Sequence, residues 1–281
     1  MPEDGSRSPA EGFGEGGGGR WSAAYGFVGT GSITRAMVEG LSTVDDPPAI
    51  VVSPRGAANA AALAARFANV RVAADNQGVV DAAPCVVLAP RPGDAPAVLA
   101  DLVLSPDHVV VSVVAGLTLD DLRAAVAPAH QVARAIPLPS VATRQGLVPV
   151  LPPLPAALAL FERLGAVAAL DDETAFDSFS AASAFAATQL DLLATVEAWL
   201  VGRGVPGPDA RAYVGELLAG LSDALAQEPD RELGALADDH ATPGGLNEQV
   251  RTYVRGHGVH ELVATALDDV AARVAGTRPR V

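Results

Sequence analysis

The sequence predicts an α/β N-terminal half built on a doubly wound parallel sheet, followed by an all-α helical domain. Three observations carry that expectation. Short apolar runs rich in β-branched residues alternate with amphipathic helical patterns from Tyr25 to about Leu170. The runs are almost continuously hydrophobic, as strands are when both faces of a sheet are covered. After "DDE" at 171–173 the strand signal stops, and long Ala/Leu-rich segments of helical period follow.

Taken in order, residues 1–20, "MPEDGSRSPAEGFGEGGGGR", are polar, Gly-rich and without period. They bury too little apolar surface to offset chain entropy, so a disordered tail is expected. A domain over 21–170 then opens with a short strand "YGFVG", a turn "GTGS" and an amphipathic helix "ITRAMVEGL". Further strands are predicted at "AIVVS", "NVRVA", "CVVLA", "HVVVSVVA", "QVARAIPL", "LVPVL" and "AVAAL". Between them "ANAAALAARFA", "APAVLADLV", "TLDDLRAAVAP" and "PAALALFERLG" repeat apolar residues three and four apart, as sheet-packing helices do. Such alternation gives a doubly wound parallel sheet. Over 171–281 the pattern is helical throughout, and the segment from Phe176 to Trp199 is apolar nearly all round. It must be covered on most sides, within the domain or by another subunit.

Composition excludes several classes of function. With 281 residues the chain can bury a sizeable core, and its net charge of -14 with no basic cluster argues against nucleic-acid or anionic-membrane partners. Cys85, the single cysteine, lies in the apolar run "PCVVLAP" and reads as a core thiol. No signal-peptide pattern opens the chain and no apolar run approaches a membrane span, so a cytoplasmic protein is expected. All 19 basic residues are arginine. A Schiff-base lysine, a phosphate-loop lysine and the lysine of β-hydroxyacid dehydrogenases are thereby excluded, because arginine has no tunable amine.

The turn at Gly29, Thr30 and Gly31 lies between a strand and a helix, which is the context a Rossmann-like dinucleotide motif needs. At the end of the second strand, NAD enzymes usually carry an acid for the ribose 2′-hydroxyl. Here "VVSPRG" offers Ser53 as a donor and Arg55 as a charge partner for a 2′-phosphate. NADP(H) is therefore expected rather than NAD(H), the alternative being a solvated turn.

Read together, these pieces resemble the pyrroline-5-carboxylate reductases over about residues 25–275. "GFVGTGSITRAMVEGL" is similar to that family's "GFIGxGNMAxAIIxGL", and "VVSVVAGLTLDDL" to its "xISxxAGIxxxxL". "ADNQGVVDAAPCVVLAPRPG" resembles "xDNxxxxxxaDvvxLaVKPQ", while "RAIPLPSVATRQG" and "TPGGLNEQV" take the places of "RxMPNTPxxxxxG" and "SPGGTTIxGL". The resemblance implies reduction of 1-pyrroline-5-carboxylate to L-proline, or of a close analogue, in proline biosynthesis. It implies that Gly29, Thr30, Gly31, Ser32 and Ile33 bind pyrophosphate, and Ser53 and Arg55 the 2′-phosphate. Asn76, Pro90 and Arg91 would border the adenosine, and Ala115 and Gly116 the nicotinamide. A homodimer interlocked through the C-terminal helices is also implied, with a higher homo-oligomer left open. Thr242, Gly244 and Gly245 would cradle the substrate carboxylate, with Thr188 nearby on the interdomain helix.

The substrate half departs from the pattern. Leu138 and Pro139 stand where the family has asparagine and threonine, "SAASAFAATQ" replaces "SGSGPAY", and Asn247 replaces a hydroxyl. Reducing a cyclic imine requires a hydride on carbon and a proton on nitrogen, or an iminium already protonated, so the missing lysine is compatible with it. Asp191, between apolar flanks, is the candidate proton donor because a buried carboxyl holds its proton to higher pH. An interface carboxylate with no catalytic part is the alternative. Asn247 would donate a hydrogen bond near the loop. His240, His257 and His260 are weaker candidates, and no spacing suggests a metal set. The pairs Asp120–Asp121, Asp171–Asp172, Asp238–Asp239 and Asp268–Asp269 are expected at helix ends as caps. Two alternatives stay open: an imine reductase with a different substrate, and a non-catalytic NADP-binding dimer.

Overall fold

The structure, a computed structural model, describes residues 24–276; the expected tail at 1–20 lies outside them. The eight predicted strand runs all form. They are β1 (Tyr25–Val28), β2 (Ile50–Val52), β3 (Val70–Val72), β4 (Cys85–Leu88), β5 (Val109–Ser112), β6 (Gln131–Ala135), β7 (Leu147–Leu151) and β8 (Ala166–Ala169). They join in one sheet of order β3-β2-β1-β4-β5-β6-β7-β8. Seven helical segments lie between them: α1 (Ser32–Leu41), α2 (Ala57–Arg66), α3 (Asn76–Ala82), α4 (Ala95–Ala100), α5 (Leu119–Ala125), a 3-10 turn at Pro139–Thr143, and α6 (Pro155–Glu162).

Alternation along each strand sends apolar side chains to both faces, and helices cover both. On one face Phe27, Val52, Val87 and Val111 pack with Met37 and Leu41 of α1, Leu63 of α2 and Leu160 and Phe161 of α6. On the other Val51, Val86, Leu88 and Val110 pack with Val79 and Val80 of α3, Val98 and Leu99 of α4 and Leu122 of α5. Each fully buried aliphatic side chain contributes about 2 kcal/mol relative to exposure, so the central strands anchor this half. Cys85 is among them, and burial pushes its thiol up to about 12. It is the core thiol expected.

Two details differ from the expectation. The sheet is not wholly parallel, because β7 runs antiparallel to β6. A parallel return needs a crossover of a dozen residues or more, usually a helix. The link "IPLPSVATRQG" carries two prolines and forms only the 3-10 turn. The second detail is α3, seven residues long and too short to show a period. Asp75 caps it by accepting from the Gly78 amide at 2.7 Å.

Beyond the sheet follow α7 (Glu173–Ser183), α8 (Phe185–Gly202), α9 (Gly207–Gln227), α10 (Leu233–Asp239), α11 (Leu246–Gly256) and α12 (Val259–Val274). α7 buries Phe176, Asp177 and Ala181, whereas no residue of α8 is buried. Leu190, Leu192 and Trp199 of α8, Leu217 and Leu221 of α9 and Leu262 of α12 stand exposed. By length and mean hydropathy the stretch Glu173–Gly202 is apolar enough to cross a membrane, correcting the expectation that no run approaches a span. Of the acidic pairs, Asp172 caps α7 through the Ala175 amide, and Asp120 and Asp121 open α5. Asp238 and Asp239 close α10, but Asp268 and Asp269 lie within α12 rather than at its end.

Candidate functional site: a crevice and a cavity along one edge of the sheet

Strand order reverses between β1 and β4, where successive connections leave in opposite directions. The crevice beyond the carboxyl ends of such a strand pair is where ligands settle on open α/β sheets. Its floor is the turn after β1. Gly29 has φ of 95°, and a Cβ there would lie 2.6 Å from the Ala89 carbonyl oxygen. Only glycine fits on both counts.

The rest of the turn is tied to β2 and α2. The Gly29 amide donates to Ser53 Oγ at 2.9 Å, and Thr30 Oγ1 donates to the Ser53 carbonyl at 2.7 Å. The Thr30 amide donates to the Arg55 carbonyl at 3.1 Å, and Asn59 Nδ2 to the Thr30 carbonyl at 3.0 Å. The backbone here is therefore held in place before any ligand arrives. α1 starts at Gly31 with no side-chain cap and no acid in its first turn. Its first amides are left free and the positive end of the helix dipole faces out, which suits an anion. A Cβ on Gly31 would meet no protein atom within 4 Å, so the room it leaves belongs to the crevice rather than to packing.

The crevice measures about 290 Å³ and brings together Gly29, Thr30, Gly31, Arg55, Asn76, Pro90 and Arg91. Ser32 and Ile33 lie in the first turn of α1, the former exposed and the latter leaning on the core. Ser53 is fully buried, and its hydroxyl is engaged with the turn instead of lining the wall. Arg55 pairs with Asp94 at 3.1 Å, both being well exposed. Such a surface pair is weak, so a more highly charged ligand can draw the guanidinium away.

Farther along the same edge, a cavity of about 200 Å³ lies at the ends of β5 and β6, walled by Ser112, Ala115, Arg134 and Ile136 and closed by α7 and α12. Gly116 follows Ala115 with φ of 76°. Arg134 is the residue that sequence reasoning passed over. Its Nη1 meets Glu173 at 2.6 Å and its Nη2 meets Asp177 at 3.2 Å, while its guanidinium lies 4.4 Å from the centre of the Phe176 ring. Glu173 also accepts the Leu119 amide at 2.9 Å. Burial raises the pKa of the Asp177 carboxyl, with Arg134 opposing that shift. The network fastens the start of α7 to the sheet. An arginine inside the apolar run "QVARAIPL" was the available signal, since a buried arginine needs partners.

The helical candidates do not converge on this edge. Thr188 lines an apolar cavity between α8 and α12. Asp191 is exposed on α8, so the burial its apolar neighbours implied is not found in the chain itself. In the loop before α11, the Gly244 amide donates to the Glu248 carboxylate at 2.6 Å, and the Gly245 amide to the Thr242 carbonyl at 2.8 Å. Asn247 Nδ2 donates to the His240 carbonyl at 2.8 Å, and both residues line a large groove of about 710 Å³ among α8 to α11. Thr242, Gly244, Gly245 and Asn247 line neither the crevice nor the cavity at β5 and β6. His257 stacks on Tyr253 and bonds its carbonyl. Among the described residues no group of three His, Cys, Asp or Glu forms a metal set.

Comparison with known proteins adds to this geometry. Residues 24–116 match the family model described as NADP oxidoreductase, coenzyme F420-dependent. A pyrroline-5-carboxylate reductase from Vibrio alginolyticus is 24% identical over 263 residues, covering 88% of this chain and 94% of that protein. A pyrroline carboxylate reductase from Plasmodium falciparum, solved with NADP bound, superposes with a TM-score of 0.74 at 16% identity, over 91% of this chain and 98% of the other. A reductive aminase from Aspergillus terreus, solved with NADPH and ethyl levulinate, gives a TM-score of 0.56 at 15% identity, over 92% and 100%. These structural likenesses establish the shared fold.

Proposed function

From the premise that this chain is a relative of the pyrroline-5-carboxylate reductases, we propose that it is an NADP(H)-dependent oxidoreductase that reduces a C=N bond. The substrate in this reading is 1-pyrroline-5-carboxylate, giving L-proline in a cytoplasmic biosynthetic step, or a close analogue. The observation that carries it is the crevice at the β1/β4 switch point, with an uncapped α1 and a glycine turn pinned by Ser53 and Thr30.

The residues present fit the cofactor. Gly29, Thr30, Gly31 and the first turn of α1, with Ser32 and Ile33, would hold the pyrophosphate. Arg55 would exchange Asp94 for a 2′-phosphate, with Ser53 supporting the turn beneath it. Asn76, Pro90 and Arg91 would flank the adenosine, and Ala115 and Gly116 would stand at the far end. When bound, the cofactor would supply a hydride for the imine carbon. The described residues offer no lysine, and an iminium that arrives protonated requires none.

The exposed leucines of α8, α9 and α12 support a homodimer through the C-terminal helices. Within that dimer Asp191, Thr188 and Asn247 would meet the site of a second protomer, with Asp191 as proton donor. A second reading, reduction of an imine lacking a carboxylate, has one specific support: the Gly244 and Gly245 amides are both engaged inside their own loop. The test is NADPH consumption at neutral pH with 1-pyrroline-5-carboxylate, and proline oxidation with NADP at high pH. Turnover in either direction upholds the first reading. Turnover of uncharged cyclic imines alone upholds the second, and silence with all of them leaves an NADP-binding protein without this chemistry.

A further inference from the structure

We propose that the cavity at the ends of β5 and β6 is an anion subsite that receives the carboxylate of the imine substrate, with Arg273 as its donor beside the buried Arg134. This rests on the imine-reductase reading above and decides between its two substrate classes.

Two independent features support it. The first is Arg134. Its side chain is only 4% exposed, and its two terminal nitrogens are taken by Glu173 and Asp177. Among the buried side-chain atoms of the described residues, its Nε is the one with no hydrogen-bond partner. Buried donors are almost always paired, and an unpaired one asks for an acceptor. Arg134 lines the cavity, so the residue with the unmet donor belongs to the wall of this site.

The second is Arg273, near the C-terminal end of α12. It lines the same cavity, and its guanidinium has no ion pair among the described residues. Glu173 and Asp177 are already committed to Arg134, so the Arg273 guanidinium keeps its donors for a ligand. A planar guanidinium holds a carboxylate by two parallel bonds, which orients the ligand as well as binding it.

The rest of the lining suits the remainder of such a ligand. Val114, Ile136, Val270 and Val274 make the wall largely apolar, matching a small hydrocarbon ring. Ala115, at the expected far end of the dinucleotide, belongs to the same wall. The alternative cradle is closed, since Glu248 occupies the Gly244 amide and would repel a second carboxylate.

The experiment compares kcat/KM for 1-pyrroline-5-carboxylate and for uncharged 1-pyrroline, with NADPH and the full chain. The ratio is expected to favour the carboxylated imine by tenfold or more in the wild type. Arg273→Ala and Arg273→Gln should each lower that ratio by about tenfold, chiefly through KM, with Arg273→Lys recovering part of it. A ratio unchanged by these variants, or a wild type indifferent to the carboxylate, overturns the subsite while leaving imine reduction standing. If neither imine is reduced, the imine-reductase reading fails, and the subsite is judged by calorimetry with L-proline and pyrrolidine in the presence of NADP. Proline binding that Arg273→Ala weakens tenfold upholds it. Absence of proline binding to the wild type overturns it.

Discussion

The glycine turn after β1 and the glycine loop before α11 make an instructive pair. Both place glycines at the start of a helix, yet only the second carries an acid in the helix's first turn. At the β1 turn, Ser53, Arg55 and Asn59 hold the backbone from outside, so the α1 terminus stays open to a ligand. At the second loop Glu248 reaches back to the Gly244 amide and sets a negative charge at the terminus, which disfavours an anion. A helix terminus suits an anion when neighbouring elements hold its backbone and its first turn carries no acid. The same contrast runs through the whole molecule. The sheet half buries its side chains within one chain, and the helical half leaves an apolar face uncovered.

The largest expected effect tests the closed character of the sheet half. With its thiol pushed up to about 12, Cys85 should react with a thiol reagent about a thousandfold more slowly in the native chain than in urea. Rapid labelling of native protein would show that the sheet opens readily. Next, Gly29→Val should abolish measurable NADPH binding, a loss of about a hundredfold or more, because of the positive φ and the nearby Ala89 carbonyl. Circular dichroism on the same sample separates lost binding from lost fold. Arg55→Ala should weaken NADPH by about tenfold and NADH hardly at all. Equal losses would remove the 2′-phosphate role.

Much of the sheet half was legible in the sequence because its strands are continuous apolar runs and its crevice residues fall in ordered motifs. Arg55, Asn76, Pro90 and Arg91 meet in space as their order suggested. The reversal of β7 was hidden because strand direction depends on whether the link can form a crossover, which residue type does not announce. Arg134 and its partners Glu173 and Asp177 lie 39 and 43 residues apart, a pairing set by topology alone. For α8, apolar character all round implied burial without saying by what. Ser53, expected as a donor to a 2′-phosphate, is buried with its hydroxyl turned toward the glycine turn.

Smaller effects sharpen the helical side. On the proposed dimer, Leu190→Glu combined with Trp199→Glu should halve the sedimenting mass, while NADPH affinity in the crevice stays within about twofold. An unchanged mass would deny α8 a place in the interface. The smallest effect concerns Asp177, whose carboxyl pKa burial raises. The native state then binds its proton more tightly than the unfolded chain, so its contribution to stability falls as pH rises through the window above the ordinary carboxylate value of about 4. The stability of wild type relative to Asp177→Asn should therefore decline with rising pH across that window in urea unfolding. A rise would mean that Arg134 outweighs burial.

The most direct measurement of the central claim is hydride tracing. NADPH deuterated at C4 of the nicotinamide is supplied with 1-pyrroline-5-carboxylate, and the product is read by mass spectrometry. Proline carrying one deuterium on the former imine carbon is the result expected. Tight NADPH binding with no deuterium in any cyclic imine tried would contradict it.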